Sequence, residues 1–321
     1  MKKTTKTLLT ATAITGGILG YKKLVDDIFN DYFKAKNDIG DKDIEEVIPA
    51  AIADQYEKEL PNLINWFTSL KREEKEITSF DGLKLSGMHV TINDSNKLMI
   101  LVHGLNSERY TLLKQAYEFS LMGYNLLMVD QRGCGASLGS YVTYGLKESI
   151  DLLQWISSLV KENENIEIGL YGVSMGAATI LMTLNSSLPK NVKFAIADSS
   201  YTSLEDMASK LLFDKVGILE PFILPSLKLK LKQTLGFDME SVSPRIALAH
   251  NDEVPVLLIH SRNDKLIPYH MAEELFSSCL GYKKIIIEEN PTHAYACYED
   301  PHYFEMIQQF INMLPQKEGV L

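Results

Sequence analysis

The sequence predicts an α/β protein: a mostly parallel central sheet, helices on both of its faces and a small helical cap. Three observations carry this. Short apolar runs recur along the chain, helical stretches separate them, and one interval is too long for a single crossover. The runs are Leu98–Val102, Asn125–Val129, Ile166–Tyr171, Val192–Ala197, Val254–Ile259 and Lys284–Ile287. Each is rich in Val, Ile and Leu and is continuous rather than alternating. A parallel strand buried on both faces reads this way.

Taken in order, the chain opens with Lys2, Lys3 and Lys6, an uncharged stretch from Thr7 to Tyr21 (TLLTATAITGGILGY), and then Lys22 and Lys23. The stretch falls short of the roughly 20 residues of a spanning helix and suits the apolar core of a signal sequence. Residues 1–24 are therefore expected to form a signal anchor or signal-like segment. Membrane attachment through 7–21 would follow, with the protein membrane-anchored or extracytoplasmic. A frayed or amphipathic helix on a cytoplasmic enzyme is the alternative.

Residues 25–74 are charged and helix-prone, with Ile28, Phe29, Tyr32 and Phe33 at helical spacing and Pro49 and Pro61 as punctuation. Two or three short helices are expected there. The main domain then runs over residues 75–315. Lys75 to Phe80 and Leu83 to Thr91 flank Asp81-Gly82, a hairpin signal. Thr143 to Val160 places Leu146, Ile150, Leu153, Ile156 and Val160 on one side of a helix. About 55 residues separate the run ending at Ala197 from the one starting at Val254, more than a crossover helix requires. The excess, about 201–250, is rich in Leu, Phe, Ile and Pro. It is expected to form a cap of short helices over the carboxyl ends of the strands.

Composition narrows the function classes. The net charge is −10, which argues against nucleic acid as a partner. Cys134, Cys279 and Cys297 are widely separated and form no CxxC pair, so neither a zinc site nor a disulfide framework is expected.

Gly172-Val173-Ser174-Met175-Gly176 is a G-x-S-x-G pentapeptide. By composition alone such a match arises in about one chain in ten of this length. Its context raises its weight, because it follows a strand run and opens a helical stretch from Ala177 to Leu184. That is the strand–turn–helix setting of a nucleophile elbow. A serine hydroxyl needs a base, and in this arrangement the chain order is Ser, then Asp or Glu, then His. His293 lies just after the last strand run. His89, His250, His260, His270 and His302 do not, and His103 belongs to another element. Asp264 follows the run Val254–Ile259 and is the expected acid. Asp198 ends the preceding strand and is its rival, while Asp252 precedes its strand and points to the wrong end of the sheet. The oxyanion requires two donors. The backbone N–H of Met175 is one. The N–H of Leu105, in the loop His103-Gly104-Leu105-Asn106-Ser107, is the other, with Gly104 expected to allow the tight turn.

Further residues carry a family likeness: Ser79-Phe80-Asp81-Gly82-Leu83-Lys84-Leu85, Asp130-Gln131-Arg132-Gly133-Cys134-Gly135-Ala136-Ser137, then Thr143, Gly145, Glu148, Asp151 and Trp155. With the elements above, the chain resembles the α/β-hydrolase superfamily over about residues 75–312. It looks most like the bacterial branch of serine aminopeptidase-like or dipeptidyl aminopeptidase/acylaminoacyl-peptidase-like hydrolases, many of which carry an N-terminal signal anchor. Cys134 stands where His is commoner and Ser261 where Gly is usual. The resemblance implies a serine hydrolase with Ser174, Asp264 and His293 as triad, acting on a small acyl substrate without metal or organic cofactor. Carboxylic esters are expected before amides or peptides, since fold and triad do not determine the scissile bond. Acyl transfer to an alcohol by the same triad, a catalytically silent binding protein, and a thiol enzyme using Cys134 or Cys297 are the competing readings.

Overall fold

The computed structural model describes residues 19–36 and 59–315. Most of the expected signal segment therefore lies outside the described residues. Among those described, no helix is long and apolar enough to cross a membrane.

The chain divides into two compact units. The first combines its N-terminal part, to Lys34, with Ala208–Ser241; the second comprises Ala35–Met207 and Val242–Leu321. The second contains a sheet of eight strands in the order β1-β2-β4-β3-β5-β6-β7-β8. These are β1 (Lys71–Thr78), β2 (Lys84–Thr91), β3 (Lys97–Val102), β4 (Asn125–Val129), β5 (Glu167–Val173), β6 (Val192–Asp198), β7 (Val256–Ser261) and β8 (Lys283–Glu288). The hairpin β1–β2 is antiparallel and joins β4 antiparallel; every pairing from β4 through β8 is parallel.

Burial follows from sequence. All residues of β4 and β7 are buried. In β3, Met99 and Leu101 join one core layer and Leu98, Ile100 and Val102 the other, so the period of two serves both faces. The first layer packs against α2 (Leu60–Ser69), α3 (Leu113–Leu121) and α11 (Tyr303–Asn312). The second packs against α4 (Leu146–Glu162), α5 (Met175–Thr183) and α9 (His270–Ser278). Strand β1 reads KREEKEIT, and its first four residues are exposed. A charged edge strand resists pairing with another chain.

The first unit contains a helix over residues 19–33 (α1), which continues across the expected boundary at residue 24. It also holds most of α6 (Leu204–Val216) and all of α7 (Glu220–Leu235). The expected insertion thus divides between the units, since α8 (Pro244–Leu248) belongs to the second. Helix α7 is longer than the short helices expected. Pro221 lies in its first turn, where a missing N–H costs little, and Pro225 is accommodated inside it.

Strand β3 has β4 on one side and β5 on the other, so the strand order reverses there. The carboxyl ends of strands flanking such a point form a crevice for ligands in open α/β sheets.

Candidate active site

Ser174 stands between the end of β5 and the start of α5, with φ 56° and ψ −118°. A non-glycine residue in that region costs about 1–3 kcal/mol. Its surroundings hold it there. The Ser174 N–H donates to the Asp198 carbonyl at 2.8 Å. A Cβ on Gly172 would lie 2.5 Å from the Gly176 carbonyl oxygen, and one on Gly176 would lie 2.1 Å from that of Val102. Two glycines therefore let the helix close onto the strand ends while the hydroxyl is left partly exposed.

The sequence-expected residues converge. The Ser174 hydroxyl lies 2.9 Å from His293 Nε2, and His293 Nδ1 lies 2.6 Å from Asp264 Oδ2. Asp264 Oδ1 accepts the N–H groups of Leu266 and Ile267, each at 2.9 Å. Burial would raise the Asp264 pKa, but hydrogen bonds from His260, His293 and the backbone outweigh it and hold the carboxyl well below its ordinary range. Asp264 thus remains an anion wherever His293 could serve as a base.

His260 is the contact that chain order did not reveal. Its Nε2 lies 2.8 Å from the Ile267 carbonyl and 3.2 Å from Asp264 Oδ2, so one N–H serves both acceptors. Removing that donor leaves Asp264 more basic and strengthens its hold on protonated His293. In His260→Asn the acid limb of kcat/KM against pH should move upward by roughly half a unit to one unit. A purely structural role would lower the melting temperature and leave that limb in place.

Ser261, the departure from glycine, donates to the Pro291 carbonyl, and Asn263 Nδ2 donates to that of Asn290 at 3.3 Å. The loop carrying Asp264 is thereby tied to the loop carrying His293. Glu288, at the root of the His293 loop, is pushed up to about 7, first by burial and then by its hydrogen bond with Asp300. Its folded pKa exceeds the unfolded value, so stability falls as pH rises between about 4.5 and 7. After discounting for solvent screening, the loss is about 1 kcal/mol. Glu288→Gln should flatten that decline in urea titrations at pH 5 and pH 8.

Around the expected oxyanion donors, neither the Leu105 nor the Met175 N–H donates to another described residue. Gly104 has no left-handed φ; that conformation falls at Asn106 (φ 53°). Gly104 instead lies close to Ser174, since a Cβ there would be 3.5 Å from that of Ser174. His103 is fully buried, and burial lowers its pKa. Its Nδ1–H donates to the Gly104 carbonyl at 2.7 Å, and its Nε2 accepts the Gln131 N–H at 3.0 Å. Gln131 Nε2 donates to the His103 carbonyl at 2.6 Å, and Thr179 Oγ1 donates to Gln131 Oε1 at 2.7 Å. A buried chain from α5 through Gln131 therefore fixes the loop presenting Leu105.

The rivals are engaged elsewhere. Asp198 Oδ2 accepts from the Tyr303 hydroxyl at 2.7 Å and Oδ1 from that of Ser199 at 2.8 Å, while burial raises its pKa. Cys134 and Cys297 are buried. Burial pushes the Cys134 thiol up to about 12 and the Cys297 thiol well above its ordinary range, which leaves no thiolate at neutral pH. His250 and His302 are exposed. The Asp130–Ser137 loop braces the scaffold. Arg132 grips Asp151 with two bonds of 2.7 Å and reaches Asp81 at 2.9 Å. Among the described residues, no cluster of three His, Cys, Asp or Glu side chains could hold a metal.

Comparison with known proteins gives a consistent picture. The family described as serine aminopeptidase, S33, matches residues 93–245. The uncharacterized protein YqkD of Bacillus subtilis is 31% identical over 264 residues, which cover 81% of this chain and 86% of YqkD. The esterase Pf2001 of Pyrococcus furiosus superposes with a TM-score of 0.62 at 23% identity, over 78% of this chain and 94% of that one. An acylaminoacyl peptidase of Pyrococcus horikoshii superposes with a TM-score of 0.58 at 18% identity, over 78% of this chain and 43% of that one. At these identities the two structures share the fold.

Proposed function

Since the chain belongs to the α/β-hydrolase superfamily, among its serine aminopeptidase-like enzymes, we propose that this hydrolase works through an acyl-enzyme on Ser174 and cleaves carboxylic esters. The observation that carries the reading is the relay of 2.9 Å and 2.6 Å from Ser174 through His293 to Asp264, beside two N–H groups without an acceptor among the described residues.

The mechanism follows from those positions. His293 Nε2 takes the Ser174 proton as the oxygen attacks the carbonyl carbon. Asp264 holds the imidazole in the tautomer with its proton on Nδ1 and stabilises the imidazolium that forms. The Leu105 and Met175 N–H groups receive the developing oxyanion, and donors of this kind are worth about 2.7–4 kcal/mol each. The imidazolium protonates the leaving alkoxide. Water, deprotonated by His293, then releases the acid and restores Ser174. An ester asks less of this machinery than an amide, because an alcohol leaves more readily than an amine.

The test is covalent labelling of wild-type protein with a fluorophosphonate probe, followed by peptide mapping and a p-nitrophenyl ester panel from short to long acyl chains. The adduct is expected on the peptide containing Ser174, with turnover of at least one ester. Labelling on another residue, or turnover without labelling, would overturn the assignment.

A further inference from the structure

We propose that the first unit carries a surface for docking on a phospholipid bilayer, formed by the end of α6, the start of α7 and residues 19–22 of α1. Isolated apolar residues on a protein surface are ordinary, whereas clustered ones mark an interaction site. Here Phe213 is 58% exposed, Ile218 84%, Leu219 51% and Phe222 69%, from the last turn of α6 through the connection to the first turn of α7. Helix α7 buries Ile223, Leu227 and Leu231 on one stripe and leaves Phe222 and Leu229 exposed on another. A helix apolar on both stripes has only one of them accounted for by packing within the protein.

Two observations favour a bilayer over a protein partner. Tyr21, in α1, donates to the Phe222 carbonyl at 2.6 Å and shares a hydrogen bond of 2.7 Å with Ser226. The chain therefore enters the described structure beside the apolar face, and the residues leading in from Thr7 are uncharged, with Lys2, Lys3 and Lys6 before them. Charge has the matching arrangement. Lys228, Lys230 and Lys232 are paired with Glu240, Asp26 and Asp238 inside the unit, while Lys22 and Lys23 are exposed next to Tyr21. Apolar side chains flanked by exposed lysines suit the boundary between acyl chains and anionic headgroups.

The experiment uses the full chain and vesicles of phosphatidylcholine with and without phosphatidylglycerol. Sedimentation should show binding that strengthens with the anionic lipid. Changing Ile218, Leu219 and Phe222 together to serine should weaken partitioning by at least about ten-fold. A local readout separates this surface from binding through the first 18 residues alone. Phe222→Trp should gain emission that shifts to the blue and is quenched by brominated acyl chains. Leu280→Trp, at a 69% exposed position of the second unit, should show neither change. Wild-type protein that ignores vesicles, a triple variant that binds as well as wild type, or a tryptophan at 222 that is not quenched would each overturn the proposal. So would a vesicle-independent dimer in light scattering that the triple variant abolishes, because the face would then join two copies of this chain.

Discussion

Ser174→Ala should lower ester turnover by about 10⁴- to 10⁶-fold and abolish fluorophosphonate labelling. The loss should fall on kcat, because the change removes the attacking atom and leaves the surrounding pocket in place. The residue that remains at position 174 must still adopt φ 56°, and alanine bears a strain there comparable to that of serine. His293 is partly exposed, so water can replace the lost hydroxyl. The melting temperature should accordingly stay within a few degrees of wild type. Steady-state kinetics and a thermal melt on the same preparation check both statements. A variant that keeps its turnover would sink the serine mechanism, and thiol alkylation would then be the next measurement.

Gly176→Ala should be the most damaging small substitution for stability. Its Cβ would sit 2.1 Å from the Val102 carbonyl oxygen and 2.5 Å from that of His103. Both obstacles are backbone at the end of β3, which is paired on both sides, so neither can swing away as a side chain could. The helix must withdraw from the sheet, at about 3–5 kcal/mol. The same withdrawal carries the Met175 N–H off its position, so turnover should fall with stability. Gly82→Ala is the contrast. Its φ is +86° and a Cβ there meets nothing within 4 Å, so only the backbone strain of about 1 kcal/mol remains. Urea midpoints and ester turnover of the two variants check the ordering. Equal midpoints would mean that the elbow is not held as tightly as these contacts require.

Much of this architecture is legible in the sequence, because buried parallel strands write themselves as continuous apolar runs. The differences have local causes. Strand β7 begins at Val256 rather than Val254, since the Val254 N–H is taken by Asn251 Oδ1 and Pro255 has no N–H to offer. Strand β1 begins at Lys71 rather than Lys75, because an edge strand can be charged throughout and gives no apolar signal. At the site, chain order placed Ser174, Asp264 and His293 where they meet. It could not anticipate Gln131, which acts on His103 from the loop after β4, or His260, whose partner depends on how its loop turns back. Gly104 was expected for its turn, yet the left-handed residue of that loop is Asn106. The candidate site residues sit at predictable strand ends, whereas the residues that steady them are chosen by proximity in space.

The clasp between the hairpin and the rest of the second unit bears on where this protein can be cut. Arg109 reaches Glu74 on β1 at 2.8 Å, and Arg132 reaches Asp81 in the hairpin turn at 2.9 Å. Both guanidinium groups are buried. A fragment begun at residue 93, where the match to the serine aminopeptidase family begins, would keep both arginines and discard both of these carboxylates. The span matched by that family is thus smaller than the span that supplies both arginines with their full set of carboxylates, and the hairpin acts as a counter-ion supplied from outside the matched stretch.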